Sequence, residues 1–183
     1  KIVAAGFSKT SVEEMTLLRF NANGSLDTTF DGDGMVSTNF GHSSNALSVF
    51  VMTDGRIVAG GGMSGTNLLM ARYQSNGALD TTFDTDGKVS VTIGGADDHI
   101  RELVVDSAGR IVVAGESFNG SKRNVLVGRF TSSGVLDTTF GGTGLITQSV
   151  TSGDDIGWGM SLQLDGKIVI GGVANYANGD FLL

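Results

Sequence analysis

Short apolar stretches recur along the chain, and polar turns separate them in a fixed order. A stretch of the type ALSVFVM, IRELVVD or WGMSLQL is followed by a turn dipeptide, such as Asp54-Gly55, and then by a second apolar stretch. The second stretch occurs four times: KIVAAG at 1–6, RIVAGG at 56–61, RIVVAG at 110–115 and KIVIGG at 167–172. Two apolar runs joined by a Gly-containing turn predict a β-hairpin in these copies.

Two further predicted strands complete each copy. The third strand is TLLRF at 16–20, LLMARY at 68–73 and VLVGRF at 125–130. The fourth alternates apolar and polar residues, as a half-buried strand does, and is MVSTN at 35–39, KVSVTI at 88–93 and LITQSV at 145–150. We find no segment with the 3.6-residue apolar period of an amphipathic helix. The pattern therefore predicts four antiparallel strands in each copy and almost no helix.

The pentapeptide LDTTF lies between the third and fourth strands. It occurs at 26–30, 79–83 and 136–140, at intervals of 53 and 57 residues. Intervals of this length indicate a repeated supersecondary unit. We therefore predict one repeat domain over residues 1–183, with units at about 1–55, 56–109 and 110–166 and a partial unit at 167–183.

Two architectures repeat a unit of four short strands. A β-propeller blade and the threefold unit of a β-trefoil both fit about 55 residues. Strands that are apolar at successive positions, such as IVVAG, favour the propeller because a blade buries both of its faces against its neighbours. The predicted fold is all-β, with propeller blades of four antiparallel strands, about three and a third repeats and an incomplete ring. Such a chain is either a fragment of a longer protein or a chain that self-associates through its unpaired edge strands.

Composition and charge exclude several functions. Lys and Arg number 12 against 19 Asp and Glu, a net charge of −7 that is scattered along the chain, so a nucleic-acid partner is not expected. No apolar run approaches the roughly 18 residues of a membrane helix, so membrane insertion is not expected either. Cys is absent and Pro is absent, while Gly numbers 29. The turns therefore depend on Gly, Asn, Asp and Ser.

An arginine stands eight positions before the aspartate of each LDTTF copy. Arg19, Arg72 and Arg129 each precede an aromatic residue, and their partners are Asp27, Asp80 and Asp137. A turn between adjacent strands would bring the carboxylate back to the planar guanidinium. This spacing predicts a structural ion pair in each unit, in preference to an arginine that binds an anionic ligand. The Thr residues of the motif are predicted to cap the turn, and its Leu and Phe to enter the core.

Alternate carboxylates follow two of the three LDTTF copies. Asp31 and Asp33 precede Gly34, and Asp84 and Asp86 precede Gly87, as at the start of a calcium loop. The third copy keeps the turn as FGGTG without either carboxylate. An ordinary Asp/Gly turn is therefore favoured over a calcium site.

The remaining polar and aromatic residues give no catalytic pattern. Asp97-Asp98 and Asp154-Asp155 lie before predicted first strands, where solvated or capping residues are favoured over an acid–base pair. His42 and His99 lie in similar-looking loops without companion ligands for a transition metal. Trp158 is expected to pack in the core. We predict no catalytic, cofactor-binding or metal-binding residue and no cofactor.

The repeated motif NG-x-LDTTF-x-x-x-G, with D-G-[KR]-I-V-x-x-G after it, resembles the bacterial delta-60 repeat family. The resemblance rests on Asn23-Gly24, 26–30 and Gly34, on Asn76-Gly77, 79–83 and Gly87, and on Ser133-Gly134, 136–140 and Gly144. It implies a β-propeller and a place in a large bacterial surface or secreted protein, hence an extracellular or cell-surface location.

The functional prediction is a non-catalytic β-propeller scaffold or binding module with a protein or glycan ligand. A carbohydrate-active hydrolase or a lectin-like sugar-binding propeller is the alternative. A catalytic site should interrupt the repeat with unique residues, and few such residues are evident in this sequence.

Overall fold

A computed structural model describes residues 1–9, 11–62, 67–93, 97–175 and 180–182, the last segment as backbone only. Fourteen strands form four antiparallel sheets within these ranges. The predicted last unit, 167–183, lies partly outside the described residues. No helix in the described ranges has the length and apolar composition needed to cross a membrane.

Each sheet is an up-and-down meander of strands that are consecutive in the chain. The first sheet contains β1 (Ile2–Lys9), β2 (Glu13–Phe20) and β3 (Met35–Thr38), and the second contains β4 (Ala46–Val51), β5 (Ile57–Gly61), β6 (Leu68–Tyr73) and β7 (Lys88–Val91). The third contains β8 (His99–Val105), β9 (Ile111–Phe118), β10 (Arg123–Phe130) and β11 (Leu145–Gln148), and the fourth contains β12 (Ile156–Leu162), β13 (Ile168–Ala174) and β14 (Asp180–Leu182). The unit of four antiparallel strands that the sequence predicts is confirmed in the second and third sheets.

The sheets pack face to face in chain order, as propeller blades do. Strand β4 packs against β8, and β8 against β12, so the first strands of the second, third and fourth sheets are neighbours, as the innermost strands of propeller blades are. β5 and β6 are buried along their whole length, which confirms that the second sheet is covered on both faces. The first and fourth sheets are not among the closely packed pairs of the described elements, and no closed ring is detected in the described ranges. The predicted incomplete ring is confirmed.

The hydrophobic core lies between the blades. One cluster joins the first and second sheets and includes Leu17, Phe30 and Tyr73, all fully buried. A second cluster joins the second and third sheets and includes Phe83 and Leu103. The Phe of LDTTF therefore enters the space between blades in the first two copies, as the sequence predicts, whereas Phe140 is only half-buried. Leu26 is 42% exposed, so the prediction that the Leu of the motif enters the core is wrong for the first copy.

Thr85 has a backbone conformation that is unfavourable for a β-branched residue. Its φ is 71°, whereas the equivalent positions are Gly32 and Gly142, at 87° and 82°. Replacing Thr85 with glycine is expected to raise the free energy of unfolding by up to about 1 kcal/mol, because relief of the strain exceeds the added freedom of the unfolded chain. Urea denaturation measures this change. The reverse substitution Gly142→Thr should destabilise the protein, and a Thr85→Gly variant no more stable than the parent would contradict the argument.

Candidate functional site

The predicted Arg–Asp pair is present in each LDTTF copy. In the second sheet, Arg72 Nε lies 2.7 Å from Asp80 Oδ2, and both side chains are buried. Thr82 completes the group, because its hydroxyl donates to Asp80 Oδ1 at 2.7 Å and accepts from Arg72 Nη2 at 2.9 Å. The prediction of a structural clamp within each blade is therefore confirmed.

The other two copies repeat this geometry. The Nε–Oδ2 distance is 2.7 Å for Arg19 and Asp27 and 2.8 Å for Arg129 and Asp137. Each guanidinium also lies over the ring of the LDTTF phenylalanine, with 4.6–4.9 Å between the guanidinium carbon and the ring centroid. Burial by itself would raise the pKa of Asp80, but hydrogen bonds from Thr82 and the charge of Arg72 hold that pKa below its ordinary value.

The candidate calcium carboxylates have a structural role in the turn. Asp33 Oδ1 accepts the backbone N–H of Met35 at 2.8 Å, and Asp86 Oδ1 accepts that of Lys88 at 2.9 Å. Thr143 Oγ1 accepts the equivalent bond in the third copy, at 3.3 Å. Among the described residues, no three His, Asp or Glu side chains converge in a way that could hold a metal ion. The ordinary turn favoured by the sequence thus has a geometric explanation in all three copies.

The paired aspartates divide into one buried and one outer residue. Asp98 and Asp155 are both fully buried, so the prediction of a solvated residue is wrong for them, whereas the prediction of a cap is right. Asp98 accepts the N–H of Ile93 at 3.1 Å and that of Phe118 at 3.2 Å. Each carboxylate therefore ties the loop between two blades to the end of a second strand. Sequence reasoning missed this burial because the loop itself is polar.

Asp155 makes the larger set of hydrogen bonds. It accepts the N–H groups of Val150, Thr151 and Asn175 at 2.8, 3.0 and 3.2 Å, and the Thr151 hydroxyl at 2.6 Å. Although burial opposes the charged form, these donors lower the pKa of Asp155 to about 2. Burial dominates at Asp98 and raises the pKa of that carboxyl. The pKa values of these two equivalent carboxyls are thus shifted in opposite directions.

We expect Asp155 to contribute to loss of stability in acid. Because its pKa is lower in the folded state than in the unfolded chain, its contribution is complete above about pH 4 and is lost as the pH falls towards 2. Asp155→Asn should therefore lose less stability than the parent between pH 4 and pH 2, in urea titrations at several pH values. Asp98→Asn is the matched control. The raised pKa of Asp98 favours the folded state on protonation, so its removal should steepen the acid loss, and parallel pH curves for all three proteins would contradict the assignment.

The repeat is interrupted at the inner edge of the third sheet. Arg101 Nε lies 2.9 Å from Glu116 Oε2 in a bidentate contact, and Glu116 is fully buried. His99 Nδ1 lies 3.3 Å from Glu116 Oε1. On the neighbouring blade, Trp158 lies under the Arg101 guanidinium, 4.5 Å from its carbon to the ring centroid. We call His99, Arg101, Glu116 and Trp158 the axial cluster.

Two β-bulges each position one member of the axial cluster. The register of β8 on β9 shifts between Ile100 and Glu102, and that of β12 on β13 shifts between Gly157 and Gly159. Arg101 and Trp158 are the extra residues at these bulges, and a bulge redirects its side chain relative to the rest of the strand. The same position on β4 is Leu47. The bulge position of the first strand therefore carries a different side chain in each of these three sheets: Leu47, Arg101 and Trp158.

Glu116 is an exception to the repeat. Positions equivalent to it in the other copies are Phe7, Gly62 and Val173. Burial would raise the pKa of Glu116, but the contacts with His99 and the Arg101 guanidinium hold it below its ordinary value, so the carboxylate is ionised. Sequence reasoning missed the Arg101–Glu116 pair, and the signal that could have revealed it was an acidic residue in an otherwise apolar copy of the second strand.

The structure corrects the predictions for Trp158 and for the two histidines. Trp158 is 44% exposed, so the prediction that it packs in the core is wrong. His42 lies in the turn after β3, where its Nδ1 is 3.1 Å from the carbonyl oxygen of Ser43, whereas His99 begins β8. The two histidines are therefore not equivalent, and His99 alone joins the axial cluster.

Comparison with known protein families agrees with this geometry. Residues 1–30, 53–83 and 109–140 match the family described as a domain of unknown function (DUF5122) beta-propeller. Each segment ends at or within the LDTTF motif and its clamp. No curated protein matches the chain at a significant level. Because the three matched segments make up about half of the chain, the protein belongs to the DUF5122 β-propeller family, that of the delta-60 repeats.

Proposed function

We propose that this chain is a non-catalytic β-propeller scaffold that binds a ligand at the axial cluster. The observation that carries the proposal is the contrast between repeated and unique polar residues. The repeated arginines and aspartates form the clamps, whereas Arg101 and Glu116 form a buried pair that the other copies lack. Because Glu116 is fully buried and its oxygens contact Arg101 and His99, its carboxylate is not available as an acid or base for a substrate, and we assign these unique residues to ligand binding.

A lectin-like role is the second candidate, and Trp158 favours it. Arg101 covers one face of the indole while the residue remains 44% exposed, so the ring is supported on one side and still reaches solvent. A fixed, partly exposed indole is a suitable platform for the apolar face of a sugar. The hydrolase alternative has less support, because Asp98 and Asp155 use their oxygens as acceptors for backbone N–H groups.

We propose a bacterial surface or secreted protein as the setting of the module. The support is the resemblance of the repeated motif to the bacterial delta-60 repeat family, which implies such a setting. Detection of the native protein in washed-cell surface and culture-supernatant fractions tests this setting. Recovery only in the cytoplasmic fraction would contradict it.

Trp158 also provides the test of ligand binding, because it is the chain's single tryptophan. We expect a saturable change in its fluorescence on titration with members of a panel of neutral and acidic oligosaccharides, if the lectin-like role is correct. On a glycan array, the same sugars should bind the parent protein and should not bind the Trp158→Ala variant. Leu164→Ala, a change at a fully exposed turn residue, is the matched control. Hydrolysis of any panel member would contradict the non-catalytic assignment. If no sugar binds, the lectin-like role is contradicted and the scaffold role, with a protein ligand, remains.

A further inference from the structure

Neighbouring blades are joined by a turn that inserts between them. The turn connects the third strand to LDTTF, and in the second sheet it contains Ser75, Asn76 and Gly77. Arg19 of the first sheet donates from Nη1 to the carbonyl oxygen of Ser75. The backbone N–H of Asp31 donates to the carbonyl oxygen of Asn76 at 2.7 Å. The clamp arginine therefore has two functions, since it holds its own aspartate and the turn of the next blade.

The same arrangement joins the second blade to the third. Arg72 donates from Nη1 to the carbonyl oxygen of Ser132, and the backbone N–H of Asp84 donates to that of Ser133 at 2.9 Å. We call the clamp arginine, the LDTTF phenylalanine and the N–H group after it the turn socket. Two turn sockets are thus filled within the described part of the chain, by turns of the sequence Ser-Asn-Gly and Ser-Ser-Gly.

Each filled socket requires glycine at the third position of the inserted turn. A Cβ atom on Gly77 would lie 2.9 Å from Asp31 N and 3.2 Å from Phe30 Cδ2. A Cβ atom on Gly134 would lie 2.8 Å from Phe83 Cε2. Both glycines also have positive φ, at 97° and 90°, which disfavours other residues. The socket therefore recognises two carbonyl oxygens and a glycine in the left-handed conformation.

A third socket is formed by Arg129, Phe140 and the N–H of Gly141. Arg129 keeps its aspartate at 2.8 Å and lies 4.9 Å from the Phe140 ring centroid, so the clamp is in place. Its side chain is 19% exposed, against 3% for Arg72, and Phe140 is only half-buried whereas Phe83 is fully buried. The recognition groups of the third socket are thus assembled but less covered than those of the second.

The third socket opens into a cavity of about 350 Å³ between the third and fourth sheets. Arg129 and Phe140 line one side of it, and Leu162 and Ile168 of the fourth sheet line the other. In the two filled sockets, the inserted turn occupies the corresponding position between sheets. The cavity therefore lies where an inserted turn would complete the interface between the third and fourth sheets.

We propose that the third socket binds the glycine-containing turn of a further repeat of the same kind. The occupant is a tight turn of the sequence polar-Asn/Ser-Gly that follows the third strand of that repeat. Its first two carbonyl oxygens accept from Arg129 Nη1 and Gly141 N–H, and its glycine lies against Phe140. This surface is separate from the axial cluster, so the proposal does not depend on the proposed function.

The test extends the full chain by one further copy of residues 71–93. Asp180 to Leu183 align with 67–70, so the added copy continues the third strand in register and carries the Ser75-Asn76-Gly77 turn. We expect hydrogen exchange of the Gly141 amide to slow by about tenfold or more relative to the parent, because the amide gains a buried partner. The control extension carries valine at the glycine of the added turn and should leave Gly141 exchange at the parental rate.

The amides of Asp31 and Asp84 report whether the existing sockets remain intact in every variant. Equal exchange of Gly141 in the parent and in both intact extended chains would overturn the proposal, as would equal protection by the glycine and valine extensions. If an extension prevents folding, a cyclised hairpin peptide of residues 70–81 replaces it. The peptide should shift the Gly141 amide resonance of the parent chain in a saturable way, and its Gly→Val form should not. No shift with the glycine peptide would also overturn the proposal.

Discussion

Replacing Asp80 with alanine is expected to lower the free energy of unfolding by about 3–5 kcal/mol. The substitution leaves the Arg72 guanidinium without its counter-ion at a site where the arginine side chain is only 3% exposed. It also removes an acceptor of the Thr82 hydroxyl, and it loosens the arginine that holds the turn of the third blade. The loss should therefore exceed that of an ordinary surface ion pair. Urea denaturation followed by far-ultraviolet circular dichroism measures it.

Asp137→Ala is the matched control, because it removes the same carboxylate from a more exposed copy of the clamp. The Asp137 side chain is 11% exposed and its partner Arg129 is 19% exposed, so water can compensate the arginine in part. A smaller loss is expected for Asp137→Ala than for Asp80→Ala. Equal losses at the two positions, or unchanged stability in Asp80→Ala, would contradict the account of a clamp stabilised by burial between blades.

Replacing Glu116 with alanine should have a comparable effect, again about 3–5 kcal/mol. Glu116 is fully buried and is the counter-ion of Arg101, so its removal leaves an unpaired guanidinium and a cavity at the inner edge of the blade. The Trp158 emission should change at the same time, because the guanidinium that covers the indole loses its anchor. Thermal and urea denaturation give the stability, and the emission spectrum of the folded variant gives the environment of Trp158.

Two controls separate the charge pair from general damage. Glu102 is a neighbouring acid whose Oε1 accepts the Ser48 hydroxyl at 3.2 Å, and glutamine keeps an acceptor oxygen there, so Glu102→Gln should be nearly neutral. The double variant Arg101→Met with Glu116→Leu removes both charges and should recover much of the lost stability, since a buried ion pair can often be replaced by apolar side chains. A double variant as unstable as Glu116→Ala would show that the pair itself is not the cause.

Features that depend on residues close in sequence could be predicted. Arg72 and Asp80 are eight positions apart across one turn. The same spacing recurs in the other two copies, so it predicts an Arg–Asp contact in each of them. The four strands of a blade are also consecutive in the chain, and alternation of apolar and polar residues with Gly turns marks each one. The predicted clamp and blade topology are confirmed for this reason.

Features that depend on contacts between blades could not be predicted. Asp98 lies in a polar stretch of the sequence and is nevertheless fully buried, because its carboxylate lies between Ile93, which follows the second sheet, and Phe118 of the third sheet. Trp158 is apolar and nevertheless exposed, because a bulge directs it away from the core. The burial of both side chains depends on where the neighbouring blade lies. The local sequence pattern does not indicate that position.

The sequence by itself determined the repeat, the four-stranded blade and the clamp, since periodicity and turn chemistry act over a few residues. Only the tertiary structure decided which contacts are made by residues that differ between copies and by residues of neighbouring blades. It buried Glu116 against Arg101, brought Trp158 of the next blade onto that arginine, and placed the turn of one blade in the socket of its neighbour. The last two of these contacts join residues of different sheets, and the free energy of all three depends on the distance and burial that only the packing of the strands and sheets provides.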